Sequence, residues 1–149
     1  MVIILNIYKA LNEITLYIDK HLEDEIEYDY LANILKDVKF KYNYDCAIFT
    51  GGEERFELLT GFNLQDNSLF NDGIHKYMLS LEDYIKGTEK VFYEMTMNDL
   101  YKLMPGNPKW MDGARSGAII PLTIFKKANI KWIIPSDLNL INGVINDEK

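Results

Sequence analysis

The residues best suited to binding chemistry lie in the segment KWMDGARSG, residues 109–117. Glycine reaches backbone conformations in which successive N–H groups point the same way, so Gly113 and Gly117 predict a concave nest of amide donors for an anion. Lys109 would add positive charge, and Arg115 would bind an oxyanion through two parallel hydrogen bonds. The pattern predicts a small anionic ligand, such as a nucleotide, in this loop.

The local charge supports the same interpretation. Residues 102–131 contain six basic residues and one acidic residue, in a chain whose net charge is −7. A basic segment in an acidic chain can attract an anion or an acidic partner, because field strength follows local charge. The alternative is a connecting loop in which Trp110 and Met111 fill the core while Asp112 pairs with Arg115. The candidate binding residues of the loop 107–117 are Lys109, Trp110, Asp112 and Arg115.

Catalytic and metal chemistry have few candidates. His21, His75 and Cys46 are too few nitrogen and sulfur donors for a zinc site. His75 could activate Cys46, but Cys46 lies in an apolar run, where a thiol behaves as a small hydrophobe. We find no P-loop, dinucleotide fingerprint, serine-hydrolase elbow or zinc-protease helix. We therefore predict no cofactor and no metal and lean against an enzyme, with an enzyme of unrecognised type, using His75 or Asp112 with Arg115, as an alternative.

Tyrosine content and negative charge favour protein binding. The chain has ten tyrosines, and 23 acidic residues against 16 basic ones. Tyr28 and Tyr30 follow an acidic run and are further candidate binding residues, because a tyrosine ring packs at interfaces while its hydroxyl forms hydrogen bonds. An acidic, tyrosine-rich face fits a protein partner with a basic surface, such as a nuclease. The same acidity argues against general DNA binding.

The first 36 residues predict a helical hairpin. Apolar residues recur at steps of three and four between Ile4 and Leu22, which predicts a helix from about Leu5 to Glu23. A shorter repeat from Tyr28 to Leu35 predicts a second helix. The apolar stripe of the first helix packs on the domain or, as the alternative, on a second copy in a homodimer.

One stretch resembles a known family. The run ITLYIDKHLEDEIEYDYLANILK, residues 14–36, resembles the opening of an AraC-type helix-turn-helix region, with an acidic turn between a first helix and a short helix of L-A-x-x-L pattern. The resemblance implies a recognition helix next, carrying polar and basic residues into the major groove. This sequence continues instead as DVKFKYNYDCAIF, which alternates like a strand. The resemblance covers about a sixth of the chain, and no DNA-contact residue carries over.

The middle of the chain predicts strands. Apolar and polar residues alternate from Val38 to Tyr44, and further strand-like runs cover Cys46–Thr50 and Arg55–Phe62. Gly51-Gly52 predicts a tight hairpin turn between the last two runs, because such turns require positive φ. We therefore expect an antiparallel meander over residues 38–62.

The second half predicts short strands, capped helices and a hairpin. Strands are expected at His75–Leu79 and Val91–Met95. Two capping pairs, Ser80 with Asp83 and Thr96 with Asp99, predict short helices that stop at Gly87 and at Pro105-Gly106. The apolar runs 118–125 and 130–134 predict a buried hairpin, with Pro121 at an edge or bulge because proline lacks an N–H for the ladder.

These patterns together predict an α+β fold in a single domain, residues 1–149. An N-terminal helical hairpin, residues 1–36, packs on a mostly antiparallel, sheet-rich part with short helices, residues 37–145. One cysteine and no signal-like or spanning segment indicate a cytoplasmic protein without membrane contact. The leading function is a non-enzymatic acidic protein that occupies a protein partner, as a bacterial or phage inhibitor or immunity protein does. The alternative is a small-molecule or nucleotide-binding regulatory domain that uses the loop 107–117.

Overall fold

The computed structural model describes Glu13, Tyr30, residues 33–40 and residues 44–138. The chain divides into two compact units. Unit 1 comprises Met1–Tyr44 and Thr88–Ile130, and unit 2 comprises Asp45–Gly87 and Lys131–Lys149. Most of the predicted helical hairpin and most of the AraC-like stretch lie outside the described residues.

The described residues form four strands, four α-helices and two short helices of other types. The strands are β1 (Cys46–Thr50), β2 (Gln65–Asp66), β3 (Tyr77–Ser80) and β4 (Trp132–Ser136). The α-helices are α1 (Glu53–Thr60), α2 (Leu81–Glu89), α3 (Met97–Leu103) and α4 (Ala114–Lys127), with a π-helical turn at Lys90–Glu94 and a 3-10 helix at Pro108–Met111. This content confirms the predicted α+β class. Over the same residues, no helix has the length and apolarity needed to cross a membrane.

The sheet belongs to unit 2 and is mixed. Its strand order is β1-β4-β3-β2, with β1 parallel to β4 and the other two pairings antiparallel. In the parallel pair, Cys46 lies opposite Trp132 and Thr50 lies opposite Ser136. Both strands therefore end on one side of the sheet, which we call the carboxyl edge. The predicted meander over residues 38–62 is wrong.

The predicted hairpin turn at Gly51-Gly52 is instead the entry to a helix. Both glycines have positive φ, 113° and 96°, as the prediction required, but they lead the chain from β1 into α1. Glu53 and Glu54 form the first turn of α1, where carboxylates interact favourably with the helix dipole. The predicted strand at Val38–Tyr44 is not formed at residues 38–40, which have no regular structure.

The second predicted hairpin is also wrong. Residues 118–125 belong to α4, where the fully buried Ala118, Ile119 and Leu122 follow helical spacing and Pro121 lies inside the helix. A run that is apolar throughout shows neither the helical nor the strand period, so it is compatible with a buried strand as well as with a buried helix. The second run contributes to β4, which is central in the sheet, and this position explains why Ile133 and Ile134 are both fully buried.

The predicted caps are confirmed, but one predicted stop is not. Thr96 and Asp99 form a reciprocal capping box at the start of α3. Ser80 Oγ accepts from the amide of Asp83 at 3.1 Å and donates to its carboxylate at 2.9 Å. Gly87, by contrast, lies inside α2, where a Cβ atom would stand 2.5 Å from the ring of Phe62. The chain then continues into the π-helical turn, so the predicted strand at residues 91–95 is wrong.

Each unit has its own buried apolar residues. In unit 1, Leu35, Val38, Phe92 and Ile119 form one cluster. In unit 2, Phe62 packs against Phe56 and against the edge of Tyr84, with ring centroids 6.0 and 5.5 Å apart.

Candidate functional site

The segment predicted to bind an anion is mostly helical. Residues 108–111 form the 3-10 helix and α4 begins at Ala114. The amide of Gly117 donates to the carbonyl of Gly113 at 2.7 Å, as part of the helix ladder. Gly113 has a φ of −91°, so it does not use the left-handed conformation of a nest. The geometry of the predicted amide nest is therefore absent from this segment.

Arg115 is bound within unit 1. Its Nη2 donates to the carbonyl of Met95 at 3.0 Å, and the guanidinium lies 5.7 Å from the centroid of the Phe92 ring. Its Nε is buried without a hydrogen-bond partner among the described residues. The alternative ion pair of Arg115 with Asp112 is not formed either. Asp112 accepts from the hydroxyl of Tyr101 at 2.8 Å, and this bond raises the pKa of Tyr101.

The remaining predicted binding residues lie on the surface of unit 1. Lys109 is exposed, and Trp110 is 38% exposed, whereas Met111 is fully buried; of the pair expected to fill the core, only Met111 does so. Tyr30 is also exposed, and Tyr28 lies outside the described residues. The most exposed aromatic side chains that the structure describes all belong to unit 1: Tyr30, Tyr44, Tyr93, Tyr101 and Trp110.

Unit 2 carries most of the negative charge. It contains eleven acidic residues and five Lys or Arg residues, whereas unit 1 contains twelve and eleven. Unit 2 therefore holds six of the seven net negative charges. The large aliphatic side chains exposed within the described residues are also in unit 2: Ile48, Leu58, Leu69 and Ile74, which are 42–53% exposed.

Three side chains of unit 2 form a hydrogen-bonded series that the sequence did not reveal, which we call the triad. The carboxylate of Asp72 lies 2.5 Å from His75 Nδ1, and His75 Nε2 lies 3.0 Å from Ser136 Oγ. Ser136 is the last residue of β4, at the carboxyl edge. Asp72 and His75 belong to the loop that precedes β3. The triad thus joins residues 61 positions apart in the sequence.

The backbone holds the acidic end of the triad in place. Asp72 Oδ1 accepts from the amides of Ile74 and His75, at 2.9 Å each. These amides, with the side chain of His75, lower the pKa of Asp72 to about 2, so its carboxylate is ionised at neutral pH and can only accept. His75 Nδ1 must therefore carry the proton in this hydrogen bond, and in the neutral ring Nε2 is the acceptor for the Ser136 hydroxyl.

Acidic side chains lie close together at the same edge, and one of them, Glu57, is buried. Glu57 has no exposed area, and neither of its carboxylate oxygens has a hydrogen-bond partner among the described residues. Burial, together with Glu53, raises its pKa to about 9, and burial beside Asp137 raises the pKa of Glu53 to about 7. Asp137 follows β4 directly and accepts from the amide of Arg55 in α1 at 3.3 Å. Glu57 is therefore protonated at neutral pH.

The residue pattern contains only a partial signal for these residues. His75 was identified as a base candidate with Cys46, but Cys46 lies opposite Trp132, at the start of β4. Ser136 is four residues further along that strand, about 13 Å at the usual strand rise. The available signal was the polar pair Ser136-Asp137 directly after an apolar run, which in a parallel strand marks the carboxyl edge.

Unit 1 contains an open cleft with a basic lining. Its volume is about 510 Å³, and its lining includes the exposed Lys36, Lys39 and Lys127 together with Phe40 and Asn129.

Within the described part of the chain, no group of three or more His, Cys, Asp or Glu residues could hold a metal ion.

Two comparisons with known proteins give no relative from which a role could be carried over. No protein family model matches the sequence, and no curated protein is significantly similar to it.

Proposed function

We propose that this protein acts by occupying a protein partner that has a basic surface, in the manner of a bacterial or phage inhibitor or immunity protein. The observation that carries the proposal is the pairing, within unit 2, of six net negative charges with exposed aliphatic side chains. The proposed contact surface therefore lies in unit 2, although the predicted binding residues lie in unit 1.

The loop between β2 and β3 illustrates this pairing. It exposes Leu69 and Ile74, which are 42% and 52% exposed, and it carries Asp72 close to Ile74, while Asp66 precedes it in β2. Aliphatic side chains contribute affinity when a partner removes them from water, and carboxylates speed the encounter with a basic surface. A basic partner with shallow apolar depressions is the complement of this surface.

The test compares two substitutions that each add one positive charge at an exposed apolar side chain. The protein is isolated from its own host at about 50 mM salt, and stoichiometric partners are identified by native mass spectrometry. We expect Ile74→Lys to lose a partner that the wild type and Trp110→Lys both retain. We also expect release of the partner at about 500 mM salt, where the Debye length is only a few ångströms.

Two outcomes would contradict the proposal. In one, the partner depends on Trp110 and not on Ile74, which would move the contact surface to unit 1. In the other, the protein from its host carries no stoichiometric protein at low salt. Melting temperatures of both variants must stay close to the wild-type value for the comparison to hold.

A second candidate function is binding of a small anionic ligand in unit 1. The basic cleft favours it, since 510 Å³ falls in the usual range for ligand pockets and the lining combines three lysines with an aromatic ring and an asparagine. Isothermal titration with ATP and with pyrophosphate tests this idea. Binding that weakens about tenfold in Lys127→Ala, and is unchanged in the exposed control Lys102→Ala, would support it, whereas equal losses in both variants would indicate only nonspecific attraction.

A further inference from the structure

We infer that Ser136 is a nucleophile, activated by His75 and Asp72, for acyl transfer from small carboxylic esters. The inference goes beyond the proposed protein binding and does not depend on it. It rests on the triad: a carboxylate on one ring nitrogen of His75, at 2.5 Å, and a serine hydroxyl on the other, at 3.0 Å. A serine is activated when its hydroxyl is hydrogen-bonded to a base and that base is hydrogen-bonded to an acid that orients it.

The direction of each hydrogen bond suits this role. The ionised Asp72 holds the proton of the ring on Nδ1, so the lone pair of Nε2 faces the serine. The amide of Leu138 donates to Ser136 Oγ at 3.2 Å and occupies one lone pair of the hydroxyl. The hydroxyl proton is therefore left to point at Nε2, and His75 is set to remove it.

The site lies where open sheets with parallel strands commonly bind ligands, at the carboxyl ends of those strands. Ser136 is on the central strand β4, opposite Thr50, and α1 begins three residues after Thr50. Because Ser136 is 1% exposed and the side chain of His75 is 7% exposed, the inference is confined to small esters.

The reaction balances without a cofactor. Ser136 Oγ bonds to the ester carbonyl carbon as its proton passes to His75 Nε2. The carbon–oxygen bond to the alcohol then breaks, and the alcohol leaves with that proton. Water attacks the acyl-serine by the same proton transfers, which releases the carboxylic acid and restores the serine.

The triad would look the same if it only attached the loop to the sheet, so the test must detect reactivity. The full chain is treated with diisopropyl fluorophosphate, which phosphorylates activated serines with loss of fluoride, and the modified residue is located by peptide mass spectrometry. Hydrolysis of 4-nitrophenyl acetate gives a turnover rate. The variants are Ser136→Ala, Asp72→Asn, and the control Ser116→Ala in α4, with thermal melts confirming that each is folded.

We expect one diisopropylphosphoryl group on Ser136 in the wild type and in Ser116→Ala, and none at this position in Ser136→Ala. Asp72→Asn should remain folded and should react about a hundredfold more slowly or worse, because an amide no longer fixes the ring tautomer. If Ser136→Ala does not fold, Asp72→Asn still tests the inference. A folded wild type that stays unlabelled at Ser136, or Asp72→Asn labelling at the wild-type rate, would overturn it.

Discussion

Replacing Glu57 with Gln should remove a large part of the pH dependence of stability. Glu57 is fully buried with unpaired carboxylate oxygens, and its pKa rises from 4.5 to about 9 on folding. Between these values the folded protein keeps the proton that the unfolded chain has released. Stability contributed by this group is therefore complete below about pH 4.5 and falls as the pH rises toward 9.

The size of the effect follows from the same values. Each pH unit in this window removes about 1.4 kcal/mol, so about 3 kcal/mol is lost between pH 4.5 and pH 7. For a chain of this size, that corresponds to a fall in melting temperature of roughly 6–12 °C. Glu53, whose pKa rises to about 7, adds to the fall in the same direction and remains in the variant.

The assay is urea unfolding from pH 5 to pH 8, at fixed ionic strength. Glu57→Gln should match the wild type within about 1 kcal/mol at pH 5 and exceed it by about 3 kcal/mol at pH 7, since the amide stays neutral at every pH. Glu82→Gln, at an exposed position of α2, controls for the loss of one negative charge. Equal slopes of unfolding free energy against pH for the wild type and Glu57→Gln would refute the reasoning.

Four further substitutions test the packing and the helix cap. Gly87→Ala should destabilise the protein by about 1–3 kcal/mol, because its Cβ would meet the Phe62 ring. Gly117→Ala, with open space at its Cβ, should instead stabilise α4 by about 0.5–1 kcal/mol. Chemical denaturation measures both changes in unfolding free energy, and changes of the same sign would contradict the geometry. Arg115→Ala should cost about 1.5–3 kcal/mol through its bond to Met95, and an unchanged melting temperature would restore Arg115 as a ligand-binding candidate. Thr96→Ala should cost about 0.5–2 kcal/mol by removing the cap of α3, seen as a lower urea midpoint at unchanged slope.

The predictions that depend on residues close together in the chain include two that the structure confirms. The capping box of Thr96 and Asp99 formed as predicted, since its two bonds span only three residues. Positive φ was correctly expected at Gly51-Gly52. What that turn connects was not predictable locally, because a left-handed glycine pair serves a hairpin and a helix entry equally well.

Period could not be read from runs that are apolar throughout. Residues 118–125 lie in α4 and the following run enters β4, and each is buried on nearly every side. Gly87 was predicted to end a helix, but it lies inside α2. Its missing side chain accommodates Phe62, a residue 25 positions away in the sequence, and does not stop the helix.

The sequence by itself determined the α+β class, the helix caps and the excess of negative charge, because composition and short-range hydrogen bonds depend only on the residues and their order. Only the tertiary structure decided that the charge is concentrated in unit 2 and that Asp72, His75 and Ser136 form one series of hydrogen bonds. The parallel pairing of β1 with β4 sets where Ser136 lies, and this pairing joins strands separated by more than half the chain. Such long-range pairing leaves no periodic or spacing signal in the residues themselves, so it emerges only when the sheet forms.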